Sequence, residues 1–347
     1  MEKIESHAIV LKSYGKATQA FELRTCSVAL PQADELLIEV EAFGLNYADV
    51  MARNKLYKEA PPLPAVLGYE VVGTVTHTGS ETDASLLGKR VVAFTRFGGY
   101  ARHAVTKASA VALIEDMPAA EALALSTQFV TAYYMAVYLS PVHAGDKVLI
   151  HAAAGGVGTA LIQLAKWKKA FVYAKVSSAA KEELVKSLGA DVAINYSKGD
   201  YAQQIAEHLQ GKRLEVSFNP IAGSTFKKDF KLLGSGGRLI IFGGSERSGK
   251  KWGILSDLNF VRKMGLILPI ALMMRSKNVL GVNMLKIADN TPEVLTECLQ
   301  RVVELTREGI LKPQIGGIFN ATDIAEAHDL LESGKSTGKI SVFWTSP

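Results

Sequence analysis

Cysteine is almost missing from this chain of 347 residues: only Cys26 and Cys298 occur, far apart and in no C-x-x-C arrangement. That excludes a disulfide framework and a cysteine-built zinc site. Long apolar runs are missing too. The longest, MGLILPIALMM at 264–274, has eleven residues, whereas a membrane-spanning helix needs about 20. Flanked by Arg262, Lys263 and Arg275, it is expected to form a buried loop and helix near an active site or a subunit contact, the alternatives being a peripheral membrane-surface contact, a partner contact or the lining of a pocket for an apolar substrate. The net charge of +5 is modest and the lysines are dispersed, so no nucleic-acid partner is expected. No internal repeat or low-complexity linker is visible. The opening residues MEKIESHAIVLKS lack the uninterrupted apolar segment of a secretory signal, which makes the cytoplasm the expected location.

What remains is ordinary globular material, 48% hydrophobic and 21% charged, in a chain longer than one growing core accommodates. Two domains are therefore expected. The most informative stretch is KVLIHAAAGGVG at 147–158: an apolar strand, a turn of small residues and a helix expected from near Thr159. Such a turn presents backbone N–H groups at a helix start, where a pyrophosphate can sit. Ala153 stands where the first glycine of the dinucleotide fingerprint would be, followed by Gly155, Gly156 and Gly158. Strands are expected at 170–176, 191–196, 214–218, 238–243 and 279–282, and helices at 179–188, 201–209 and 224–233. That alternation predicts a doubly wound parallel sheet.

Charge at the end of the second strand points to the kind of dinucleotide. NAD selection usually places an acid there, on the ribose hydroxyls. Here the strand ends in Lys175, Val176, Ser177 and Ser178, with Lys181 just beyond. A 2′-phosphate would meet hydroxyls and ammonium groups, so NADPH is favoured.

Before residue 126 the pattern changes to short alternating runs, at 7–11, 36–43, 70–77, 90–94 and 100–105, which read as a mostly β domain. A helix at 323–333 and a strand at 339–344 are expected to complete it. The division is then 1–125 for the first part of the catalytic domain, 126–287 for the dinucleotide domain and 288–347 for the second catalytic part. An active site is expected in the cleft between the two domains.

The segments GLNYADVMARNKLY, PPLPAVLGYEVVGTV, QFVTAYYM and AAAGGVGTALIQLAK, in order along nearly the whole chain, resemble the zinc-free quinone oxidoreductases of the medium-chain dehydrogenase/reductase superfamily. LNYADVMAR, LYKEAPPLP and NVLGVNM are most similar to its vesicle amine transport branch. The resemblance implies a doubly wound parallel Rossmann sheet inserted into a mostly β GroES-like catalytic domain, paired as a homodimer. It also implies site residues. Gln128 and Thr131 match positions near the nicotinamide, and Ala154, Gly155, Gly156 and Val157 match the pyrophosphate turn. Ser177, Ser178, Lys181 and Tyr196 match the ribose-phosphate neighbourhood; Gly243, Gly244 and Asn283 match later cofactor segments, and Asn46 is counted with the cofactor set as well. Zinc-dependent relatives carry Cys at the position of Asn46 and Gly-His-Glu at Gly68, Tyr69 and Glu70, so two of three ligands are missing and no metal is expected.

Without a Lewis acid, reducing an already electrophilic acceptor is easier than oxidising an alcohol. A quinone or α,β-unsaturated carbonyl takes hydride and leaves an oxyanion that needs only hydrogen bonds. Asn46 or Tyr57 is the expected donor. Asp49 and Arg53, at i and i+4, are expected to form a structural ion pair. Three departures from the family pattern stand out: Lys175 should add attraction for phosphate, Asn219 replaces a common Asp, and Met51 replaces a Tyr. The expected function is zinc-independent hydride transfer from NADPH to such a small-molecule electrophile. The alternative is an NADPH-binding, weakly or non-catalytic protein associated with vesicles or membranes.

Overall fold

The computed structural model describes residues 3–247 and 253–345. Its internal contacts divide the chain into one unit of Met1–Val130 with Leu285–Pro347 and a second of Thr131–Met284.

The second unit is built on six strands, all parallel, in the order Val192–Asn195, Phe171–Val176, Lys147–Ile150, Leu214–Asn219, Leu233–Ile241, Asn278–Gly281. The chain starts at the centre, winds to one edge, returns and winds to the other, so strand order reverses beside Lys147–Ile150. Val148, Leu149 and Ile150 are fully buried, as a strand covered on both faces requires. Helices Gly156–Trp167, Ala179–Ser187, Tyr201–Leu209 and Phe226–Leu232 supply the cover. Ser178 and Asp200 cap two of them with side-chain oxygens that accept from backbone N–H groups, satisfying donors the first turn leaves open.

The helix after the glycine turn begins at Gly156, three residues earlier than expected, with its first bond from Thr159 N–H to Gly155 C=O at 2.8 Å. Glycine is a poor helix former, but close packing decides. A Cβ on Gly158 would lie 2.6 Å from Ala153 Cα, so helix and turn approach as near as backbone allows. The left-handed residue of the turn is Ala152, with φ 48°, a conformation that costs an L-residue about 1–2 kcal/mol.

In the first unit a seven-stranded sheet has the order Ile315–Asn320, Lys339–Phe343, Glu35–Leu45, Glu70–Thr78, Arg90–Phe94, Val111–Leu113, with His103–Lys107 also on Glu35–Leu45. A three-stranded sheet joins Phe21–Ala29, Lys3–Leu11 and Ala65–Val66. Lys339–Phe343 runs antiparallel to Glu35–Leu45, with Ile340 opposite Leu45. The last part of the chain thus completes the sheet begun by the first, as the mostly β GroES-like expectation requires. Leu36, Ile38, Phe43, Val71, Val91 and Val342 form the centre of its core.

The sequence reading expected a buried loop and helix at 264–274; within the single chain the run is a loop followed by the helix Pro269–Arg275, with Leu266 88% and Met274 78% exposed, as a segment reserved for a subunit contact would also be. Among the described residues the helical stretch with the length and composition to cross a membrane is Ala119–Leu139, and 78% of its 18-residue apolar window is buried inside the protein. It contains two π-helical segments, Leu125–Phe129 and Tyr134–Leu139, a geometry frequent at functional sites.

Gly158→Ala is expected to cost about 1–3 kcal/mol through overpacking. Gly281→Ala, where an added Cβ meets nothing within 4 Å, should change stability by under about 1 kcal/mol. Urea unfolding of the two variants checks the difference.

Candidate functional site

In the first unit, Asn46 ends the Glu35–Leu45 strand as the extended N-cap of the helix Tyr47–Arg53. Its backbone N–H donates to the Asp49 carboxylate at 2.9 Å, and the other oxygen of Asp49 accepts from Gly68 N–H at 3.3 Å. The Asn46 side chain donates through Nδ2 to Glu70 Oε1 at 2.7 Å. Opposite stands Lys339, the first residue of the C-terminal strand, whose ammonium pairs with Glu70 and donates to Leu45 C=O at 3.2 Å and Asn46 Oδ1 at 3.4 Å. Ser126 Oγ donates to the other Glu70 oxygen at 3.3 Å. Glu70 and Lys339 are wholly buried. A Cβ on Gly44 would run into both side chains, so the glycine before Leu45 is what lets the pair close.

The expected Asp49–Arg53 pair does not form. Arg53 points to the helix Ile324–Glu332, pairing with Glu332 and lying 3.6 Å from Asp329. The reason is that Asp49 is already occupied by two backbone donors. Burial, aided by the Glu70 charge, pushes the Asp49 carboxyl up to about 7.

Tyr57 is partly buried, and burial followed by the Glu59 charge raises its phenol to about 12. Tyr69 meets it edge-on, ring centroids 6.5 Å apart, and also packs against Phe97. Among the described residues the buried Tyr69 hydroxyl has no hydrogen-bond partner of good geometry, and burial raises its pKa further than that of Tyr57. Both phenols therefore stay protonated at neutral pH. The sequence reading counted Tyr69 only as a lost zinc ligand. The usable signal was a hydrogen-bonding aromatic in a Gly-x-Glu triplet where a packing role alone would suit Phe. Gln128, in the π-helical segment, is buried, and among the described residues its Oε1 has no partner.

The second unit holds the other expected residues, all but Thr131 at the carboxyl ends of its strands. Ala154, Gly155, Gly156 and Val157 form the turn and first helical residues after Lys147–Ile150. The N–H groups of residues 156–158 precede the first intrahelical bond and point out of the helix start. Ser177 and Ser178 follow the second strand, and Lys181 lies in the first turn of Ala179–Ser187. The Ser178 hydroxyl accepts from Lys181 N–H at 3.4 Å, and burial lowers the Lys181 ammonium pKa. Tyr196 is 50% exposed after the third strand. Gly243 and Gly244 follow Leu233–Ile241, and a Cβ on Gly243 would lie 2.7 Å from Pro220 C=O. Asn283 follows Asn278–Gly281, and Thr131 is buried in the short helix Val130–Tyr133.

Lys175 behaves differently from the expectation. Its ammonium is buried, 4.8 and 4.3 Å from the ring centroids of Tyr196 and Tyr201 and 3.4 Å from His151 Nδ1. Burial lowers its pKa to about 8. His151 Nε2 lies 2.8 Å from Asp229 Oδ2, and burial keeps the imidazole neutral. Burial would raise the Asp229 pKa, but His151, Tyr201 and Ser217 overcome it and hold the carboxyl below its usual range. Asn219 donates to Asp229 Oδ2 at 2.6 Å and accepts from Ile221 and Ala222 N–H at 2.8 Å each. An Asp at 219 would face Asp229 with a second carboxylate, which accounts for the amide.

A doubly wound dinucleotide sheet and a GroES-like sheet completed by the C-terminal strand define a medium-chain dehydrogenase/reductase. Residues 156–301 match the zinc-binding dehydrogenase family model and 32–116 the alcohol dehydrogenase GroES-like domain. A probable quinone oxidoreductase of Schizosaccharomyces pombe is 30% identical over 337 residues, 96% of either chain. The synaptic vesicle membrane protein VAT-1 homolog of Danio rerio is 28% identical over 98% of this chain and 70% of that protein. The crystal structure of Escherichia coli quinone oxidoreductase complexed with NADPH superposes with a TM-score of 0.83 at 26% identity, covering 97% of this chain and 99% of that one. The chain belongs to the quinone oxidoreductase family of that superfamily.

Lys339→Met would leave the Glu70 carboxylate buried without its counter-ion and is expected to cost about 3–5 kcal/mol. Combining it with Glu70→Gln should recover a large part of the loss in urea unfolding. Asp49 supplies a pH signature. Its folded pKa near 7 lies above the unfolded value of about 3.9, so the folded state binds the proton more tightly. Its contribution is fully present below about pH 4 and lost as pH rises to about 7. Asp49→Asn should remove that decline from the stability–pH curve.

Proposed function

We propose that this protein is a zinc-independent oxidoreductase that reduces a quinone or an α,β-unsaturated carbonyl with NADPH. The observation that carries the reading is a carboxylate, Glu70, that takes a hydrogen bond from the neutral amide of Asn46 and whose charge Lys339 already balances, together with two phenols, Tyr57 and Tyr69, held protonated in the same unit. Such a set stabilises a developing oxyanion. It does not fit zinc, which takes thiolate, imidazole or free carboxylate donors. Asn46 offers an amide, Tyr69 a phenol held protonated, and Glu70 is engaged by an ammonium and two further donors. Among the described residues no three His, Cys, Asp or Glu side chains gather at one point.

NADPH fits the second unit, and when bound it supplies the hydride. The N–H groups of Gly156 and Val157 at the helix start would hold the pyrophosphate, with Gly155 and Gly158 keeping the turn free of Cβ atoms. Ser177, Ser178 and Lys181, at the start of Ala179–Ser187, would hold the 2′-phosphate beside Tyr196. Lys175 contributes only indirectly, because its charge is turned inward between two tyrosine rings. Gln128, Thr131, Gly243, Gly244 and Asn283 complete the proposed cofactor set. On the acceptor side Asn46 retains a second amide hydrogen, and Tyr57 and Tyr69 each have a phenolic hydrogen to offer.

Steady-state oxidation of NADPH and NADH against a panel of quinones and enals tests the reading, with NADPH expected to be the better donor. Lys181→Ala should raise the KM for NADPH about tenfold and that for NADH much less. Tyr69→Phe should lower kcat by about tenfold or more, the loss of one oxyanion donor. NADPH binding without turnover of any acceptor in the panel would refute it.

A further inference from the structure

The second unit holds a pocket of about 700 Å³ that the nucleotide reading leaves unused. It lies at the amino ends of the strands: Arg213 precedes Leu214–Asn219, Leu233 opens Leu233–Ile241, and Lys277 precedes Asn278–Gly281. The glycine turn follows the carboxyl end of a parallel strand, so the two lie at opposite edges of one sheet, roughly 20 Å apart at ~3.3 Å per residue.

The pocket's floor is apolar. Phe226, Phe230, Leu233, Met264, Ile267 and Leu272 line it, most of them continuous with the core of the unit. Around them stand Arg213, Lys227, Lys231, Arg275 and Lys277, and among the described residues no carboxylate lines the pocket. Among the described residues none of these five cations is in an ion pair, whereas neighbouring Lys228 and Lys263 pair with Asp200 and Glu246. Lys277 donates to Phe230 C=O at 2.6 Å and lies 4.8 Å from the centre of that ring. Burial, then the charges of Arg213 and Arg275, lower its pKa. Like charges gathered without counter-ions repel one another, and an anion would relieve that repulsion. An apolar floor requires that the anion carry an apolar body, and the volume is that of a small-molecule site.

We propose that this pocket binds a monomeric anionic amphiphile, with a carboxylate or phosphate-monoester head among Arg213, Arg275 and Lys277 and a hydrocarbon or aromatic body on Phe226, Phe230 and Leu272. The head makes charge-assisted hydrogen bonds to the guanidinium groups, and the body removes apolar surface from water.

Calorimetric titration of the full chain without nucleotide, using dodecanoate and dodecyl phosphate below their aggregation concentrations, tests this. One site per chain is expected, with 1-dodecanol binding at least about tenfold more weakly, the value of one charge-assisted contact. Arg275→Glu should weaken both anions about tenfold or more and leave dodecanol unchanged; Arg213→Gln gives the same readout with a milder change if the reversal unfolds the protein. NADPH binding should be unaffected by either, so a failure here is separable from a failure of the proposed reductase activity. Equal affinity for dodecanol, no saturable binding of either anion, or binding only to phosphatidic acid in phosphatidylcholine vesicles would each overturn the proposal, the last by showing a membrane-docking face instead.

Discussion

The ion pair between Glu70 and Lys339 is the constraint around which the first unit is arranged. A carboxylate cannot remain charged in a dry core without a partner, and here the partner comes from 269 positions further along the chain. The pair can close only because Gly44 has no side chain, because Lys339–Phe343 lies against Glu35–Leu45, and because Asn46 turns its amide toward the same oxygen. A local chemical need thus fixes a long-range strand pairing, in keeping with the role of buried polar groups in specifying one arrangement over others.

The same pair sets the electrostatic character of the region around it. Zinc enzymes of this fold class obtain positive charge from a metal, which also polarises oxygen ligands. An ammonium already saturated by Glu70, Leu45 C=O and Asn46 neutralises the carboxylate without acting as a Lewis acid. In the proposed reaction the donors are then an amide and two phenols, and buried phenols with raised pKa values are well matched to that role. In the second unit, charge is managed in the opposite way. His151, Tyr201, Ser217 and Asn219 all turn toward Asp229, and Lys175 caps the cluster between two aromatic rings.

Much of the architecture was legible in the residues. The strand, small-residue turn and helix at 147–167, the alternation that follows and the β texture of the first 125 residues all correspond to observed elements, because period and punctuation are local properties. Their limits were less legible. The helix start at Gly156 depends on how closely Gly158 approaches Ala153, a tertiary fact that helix propensity opposes. Side-chain direction was the least legible of all. Lys175 sits at the expected end of the expected strand, yet its ammonium turns inward, since two tyrosines and a neutral imidazole from other segments make a better enclosure than solvent. Arg53 likewise left its neighbour Asp49 for carboxylates nearly 280 positions away, and the apolar run at 264–274 splits, Met264 and Ile267 packing on the core of their unit while Leu266 and Met274 face outward.

The near-contact of Gly158 with Ala153 bears on how the enzyme could change its coenzyme preference during evolution. A turn wedged against its helix at backbone distance is a rigid mould, so the pyrophosphate end of the dinucleotide offers no room for adjustment. On the proposed cofactor site, discrimination between phosphorylated and unphosphorylated ribose is thereby left to a few side chains after the second strand, where exchanging a lysine or serine for an acid would alter preference without disturbing the mould. Adaptability in this protein is thus segregated from its scaffold: the backbone holds what all dinucleotides share, and replaceable surface groups read what distinguishes them.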